Sequence, residues 1–183
     1  MAAPADPHAG LLYDRALRTR VRLDGDELEI AATVEDDTYS HGGFQRVHDM
    51  TLVLRVRRSD REITSVRADM EEHPHPQCPL VEATMQRLVG VRIARGFTRA
   101  VNERVGGTRG CNHLATLALQ AGTVAALSFA AEMAAEDPGL VQLGYDDFFG
   151  TVRDRHPAVE GSCQVWAPEG VLVRRLERGQ TPA

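Results

Sequence analysis

Lysine is absent: all 21 basic residues among the 183 are arginine. That excludes a lysine Schiff base or a lysine general base, and it fits the codon usage of a GC-rich genome. Cysteine is scarce, with three at positions 78, 111 and 163. An odd, sparse count without a Cys-x-x-Cys pair is neither a secreted disulfide scaffold nor a zinc finger or ribbon. Aromatics are 5% of the chain, so Trp166, Phe148 and Phe149 are expected to pack rather than to stack on bases. Positive charge is also short, with 21 basic against 26 acidic residues and a net charge of −5, which disfavours nucleic acid as a partner. A P-loop, a dinucleotide fingerprint and a Gly-x-Ser-x-Gly elbow are all missing, so no nucleotide cofactor is implied. The uncharged stretch Leu114–Ala131 is rich in alanine and carries Thr116, Gln120, Thr123 and Ser128. It reads as a buried core helix rather than a membrane span. The Ala/Pro-rich start lacks an apolar core segment, so a signal peptide is not expected and the protein is placed in the cytoplasm.

The hydrophobic fraction, 43%, and the charged fraction, 26%, are those of a globular domain. The first half reads as sheet. Leu17–Leu23 alternates apolar and polar residues with arginine on its wet face, and Asp24-Gly25 marks a hairpin. Leu28–Val34 is the return strand, Glu35–Gly43 a polar connection, Met50–Val56 a third strand and Ile63–Met70 a fourth. The second half reads as helix. Cys78-Pro79 opens one with Cys78 at the cap, and Ala94–Arg104 forms a second. A long helix capped by Asn112 runs to about Ala135, and Tyr145–Arg155 forms another. Ser162–Leu176 alternates loosely and reads as a hairpin. The expectation is an α+β domain over residues 13–176: an antiparallel sheet of about four strands in two hairpins, with three to four helices on one face. Residues 1–12 form a disordered lead-in and 177–183 a flexible tail.

Cysteine and histidine gather at the ends of these elements. His48 starts the third strand, and His73, His75 and Cys78 share the join between sheet and helices. Cys111 and His113 flank Asn112, and Cys163 lies in the tail. A thiol at a helix N-terminus meets the positive end of the helix dipole, which favours thiolate, the form that binds soft metals and attacks electrophiles. Imidazole and thiolate together suit zinc, with iron as the second choice. Cys78, Cys111 and His113, completed by His48, His75 or Cys163, form the candidate ligand set. Asp49 is placed to orient His48.

His48-Asp49-Met50, Cys78, Gly110-Cys111-Asn112-His113-Leu114 and Ser162-Cys163-Gln164-Val165-Trp166 with Pro168-Glu169-Gly170 resemble a bacterial family known as domain of unknown function 2889. The resemblance runs from about Arg15 to Arg175, with Asn112 where the family usually has threonine. It implies that His48, Cys78, Cys111 and His113 belong together. A second resemblance is to the scaffold proteins of iron–sulfur cluster assembly. The run from Met50–Val56 through Ile63 to Cys78 looks like their strand–turn–strand–cysteine segment, and Cys111 with Leu114 like their last cysteine region. Arg46 and Val47 stand where the scaffold has its first cysteine, so cluster assembly itself is not implied.

Three functions follow as expectations. The first is a small metalloprotein with a Cys/His site acting on a small organic substrate. The second is a metal-free enzyme using Cys78 or Cys111 as thiolate and His48 or His113 as base. The third is a dimeric interaction module built on the alanine-rich helix.

Overall fold

The computed structural model describes residues 10–40 and 43–179. The expected lead-in over 1–12 and tail over 177–183 fall largely outside them. The chain divides into two compact units, Met1–Ala126 and Leu127–Ala183.

The first unit is built on four antiparallel strands in the order β1-β2-β3-β4. They are β1 (Tyr13–Asp24), β2 (Glu27–Ser40), β3 (Gly43–Arg57) and β4 (Ile63–Glu72). The Asp24-Gly25 turn joins β1 to β2, with Gly25 at φ +63°, a conformation glycine adopts without cost. Alternation sends Leu28, Ile30, Ala32 and Val34 of β2, and Met50, Leu52, Leu54 and Val56 of β3, to one buried face. That face carries the core together with a 3-10 helix (Cys78–Leu88), α1 (Phe97–Val105) and α2 (Asn112–Leu127). The Gln86 side chain donates to the Val66 carbonyl at 2.5 Å, tying the 3-10 helix to β4. This is the α+β arrangement expected, with strands first and helices after.

Three local expectations are corrected. Cys78 is the first residue of the 3-10 helix, with Gln77 at its cap. In α2 the first helical bond runs from the Ala115 N–H to the Cys111 carbonyl at 2.9 Å. Cys111 therefore holds the cap position and Asn112 is the first helical residue. The long helix stops at Leu127 and resumes at α3 (Phe129–Glu136), and Ser128 between them donates its hydroxyl to Glu132.

The second unit holds α3, α4 (Tyr145–Arg155) and α5 (Val171–Arg178). Met133, Leu140 and Val152 form its own small core. The hairpin expected over Ser162–Leu176 is instead a run of turns ending in α5. Leu172, Val173 and Leu176 share a helical face, with Leu172 and Val173 buried. Phe149 packs edge-on to Trp166 at 6.1 Å within this unit. Among the described residues no single helix is long and apolar enough to cross a membrane.

Candidate functional site

The alternation that buries Leu28, Ile30, Ala32 and Val34 continues one step further than the apolar residues do. It carries Asp36 inward, where its side chain is fully buried. Strand pairing sets Asp36 beside Arg15 on β1 and beside His48 on β3. Residues paired across an antiparallel sheet project to the same face, so Arg15, Asp36 and His48 form one row over three strands. The register shifts beyond Asp36, which pairs with His48 while Asp37 pairs with Arg46. One extra residue, Val47, is thereby accommodated in β3. The shift leaves His48 facing inward while Arg46 bonds Asp37, at 2.9 Å.

Arg15 grips Asp36 with two nearly parallel bonds, Nε to Oδ1 at 2.6 Å and Nη2 to Oδ2 at 2.7 Å. Such forked guanidinium–carboxylate pairs are strong and directional. Burial pushes the Asp36 carboxyl up, but the hydrogen bonds and charge of Arg15, with Tyr13 and His48, outweigh it and hold the group down at about 2. Asp36 is therefore ionised at neutral pH and can only accept hydrogen bonds. His48 Nδ1, 2.8 Å from Oδ2, must donate. In the neutral ring this leaves the lone pair of His48 on Nε2. The phenol of Tyr13 is pushed up, by burial and by the Asp36 carboxylate.

The third side of the cluster comes from the entry to α2. A Cβ added at Gly110 would stand 2.6 Å from the Val105 carbonyl oxygen. Only glycine allows the backbone to pass so close to the end of α1 before Cys111 turns into α2. His113 then stacks on His48 with ring centres 4.0 Å apart. Its Nε2 lies 3.7 Å from Asp36 Oδ2, and its Nδ1 lies 3.7 Å from Cys111 Sγ. Burial lowers the affinity of His113 for a proton, His48 and Arg15 lower it further, and Asp36 opposes them. His113 is accordingly neutral at pH 7.

The site is thus a hub. One buried carboxylate, neutralised by Arg15, faces two imidazoles through one nitrogen each. The other nitrogens, His48 Nε2 and His113 Nδ1, are turned away from it, the second toward the Cys111 thiol. The donor atoms of Asp36, His48 and His113 lie within 4.8 Å of one another, close enough to share a metal ion.

Of the residues singled out in the sequence, His48, His113 and Cys111 meet here. Cys78 lies half-buried against the core. His75 is exposed in the loop after β4. Cys163 is exposed in the second unit, its thiol pushed down by the backbone N–H groups of Trp166 and Val165. Asp49 does not orient His48; it lies 3.6 Å from Arg46. Adjacent strand residues point to opposite faces, so a neighbour in sequence was the wrong place to look for the partner. Sequence reasoning missed Asp36 and Arg15. The polar run Glu35-Asp36-Asp37-Thr38 read as a connection, although the alternation from Leu28 to Val34, extended by two residues, points Asp36 inward.

No curated protein and no solved structure matches the chain. The model of the family described as protein of unknown function (DUF2889) matches residues 13–127, and the chain belongs to that family. The matched segment includes Arg15, Asp36, His48, Cys111 and His113 and most of the first unit.

Proposed function

We propose that this cluster is a centre for one zinc or ferrous ion, with His48 Nε2, His113 Nδ1 and Cys111 Sγ as ligands. The observation that carries the reading is the buried, ionised Asp36 facing two imidazoles, each through one ring nitrogen. Metal-ligating histidines are held in this way, their second nitrogen bonded to a carboxylate that fixes tautomer and orientation. Asp36 serves better as this support than as a ligand, because Arg15 already occupies both its oxygens and brings a positive charge. Two imidazoles and a thiolate form a donor set that zinc accepts readily. Three protein ligands leave a fourth position open, the mark of a catalytic centre. When bound, the ion supplies Lewis-acid activation of a water or a carbonyl group.

The test is metal analysis of chelator-treated protein after reloading with zinc, and with cobalt as a spectroscopic probe. About one ion per chain is expected, with a thiolate-to-cobalt charge-transfer band that Cys111→Ala removes. Asp36→Asn should weaken binding by about 10–100-fold, the range for an orienting carboxylate. Protein that takes up neither metal sinks the reading.

The contact between Cys111 Sγ and His113 Nδ1 favours a second reading. Thiol, imidazole and carboxylate stand in the order nucleophile, base and orienting acid. That reading predicts a Cys111 alkylated rapidly near neutral pH, insensitive to chelators and slowed by His113→Gln.

A further inference from the structure

The outer face of the sheet, opposite the core, is a lattice of arginines and carboxylates. Arg22 lies 3.5 Å from Glu29, and Arg55 lies 3.7 Å from the same carboxylate. Arg55 also bonds Glu27 at 2.7 Å and pairs with Asp24. Arg18 lies 3.8 Å from Glu35, and Arg46 lies 2.9 Å from the same carboxylate. Strand register arranges the lattice in rows. One row runs Arg22, Glu29, Arg55, Ser65, with an acid between two arginines. The next runs Arg20, Ala31, Val53, Arg67. Here the two cations stand on the outermost strands, β1 and β4, with alanine and valine and no acid between them.

Arg20 and Arg67 are accordingly exceptions on this face. Among the described residues neither makes an ion pair or a hydrogen bond through its side chain, and both are exposed. Asp69, in the adjacent row, is not in ion-pair contact with Arg67. Between the two arginines lies a cavity of about 280 Å³, lined by Ala31, Val53, Thr33 and Thr51 and, on one side, by Arg22 and Glu29, which pair with each other. Three strand spacings separate the backbones of Arg20 and Arg67, about 14 Å. That span matches a short dicarboxylate with one guanidinium group at each end.

We propose that this cavity binds a small aliphatic dicarboxylate, one carboxylate forked by Arg20 and the other by Arg67, with the methylenes over Ala31 and Val53. Planar guanidinium groups match carboxylates in two-bond geometry. The apolar floor selects a carbon chain over an inorganic anion, and the two-ended charge selects a dianion over a monoanion. The site lies on the face of the sheet opposite Asp36 and does not depend on the metal reading.

Calorimetric titration of the full chain with glutarate, adipate, butyrate and inorganic phosphate tests it. Saturable binding of glutarate or adipate is expected, at least about tenfold tighter than butyrate or phosphate. Each forked contact contributes on the order of a factor of ten. Arg20→Gln and Arg67→Gln should each reduce dicarboxylate affinity by about that factor, and both replace exposed side chains without a partner in the fold. Ala31→Glu should abolish binding, because it pairs with Arg20 from within the chain and sets a carboxylate in the cavity. No saturation by either dicarboxylate up to about 10 mM, equal binding of butyrate, or affinity unchanged in both arginine variants overturns the proposal.

Discussion

Asp36→Asn is the most informative single substitution in the first unit. The carboxyl is fully buried, and its pKa falls from an ordinary 3.8 to about 2. A fall of that size makes the ionised form worth about 2 kcal/mol of folding stability at neutral pH. Because the folded value is the lower one, the unfolded chain takes up its proton first on acidification. The contribution is therefore complete above about pH 5, shrinks as pH drops through the unfolded value, and is gone below about 2. Asparagine removes the charge and turns an amide N–H₂ toward Arg15 or His48, so about 2 kcal/mol is the lower end of the expected loss. In a chain of this size that lowers the melting temperature by about 4–8 °C. The assay is denaturant unfolding of chelator-treated wild type and variant between pH 7.5 and 2.5. The gap between them should be full at pH 5 to 7.5 and narrow steadily below that. A variant as stable as wild type, or a gap of constant size down to pH 2.5, would refute the reasoning, since either means that the carboxylate is not held ionised by Arg15.

Other outcomes follow from the same geometry. A Cβ at Gly122 would stand 2.2 Å from Cε1 of Phe97, so Gly122→Ala should cost about 1–3 kcal/mol by overpacking, measured by urea unfolding. His113 should titrate below the usual 6.5 in a proton NMR titration. Its neutral form is the one the fold favours, so in metal-free protein the stability it lends is present above about pH 6.5 and lost on acidification, and His113→Gln should remove that slope. Leu54→Ala, at a fully buried position, should cost about 2–5 kcal/mol in the same unfolding assay. Arg99→Ala, which breaks an exposed pair with Glu103 on α1, should change stability by no more than about 0.5 kcal/mol.

The sheet was legible because period-two alternation and the Asp24-Gly25 turn are local signals, and all four strands run past the apolar segments that announced them. The extensions were hidden in polar residues. Glu35 to Thr38 is strand because it pairs with both neighbours, a fact held in β1 and β3 rather than in the segment itself. The site followed the same division. His48, Cys111 and His113 could be suspected from residue type and element ends. Asp36 and Arg15 could not, because a buried ion pair between residues 21 positions apart is created by register. The helix expected to run to Ala135 stops at Leu127 and resumes at Phe129, with Ser128 between the two segments. The hairpin expected in the tail failed because two valines spaced by two residues suit the start of a helix as well as a strand.

β1 is an edge strand of 12 residues, and its inward side leaves Leu17 and Leu23 more than two-fifths exposed. An open edge of that length is a template on which another chain can add a strand. On its outer side stand Arg18, Arg20 and Arg22. Two copies brought edge to edge in antiparallel register about the middle of the strand would set these arginines against one another. Repulsion of this kind fades with ionic strength over a screening length of about 8–10 Å at moderate salt. The colloidal behaviour of the protein is thereby coupled to the chemistry of its outer face. Whatever neutralises those arginines, whether concentrated salt, a polyanion or mutation to uncharged residues, also removes the guard on the edge and opens a route to self-association.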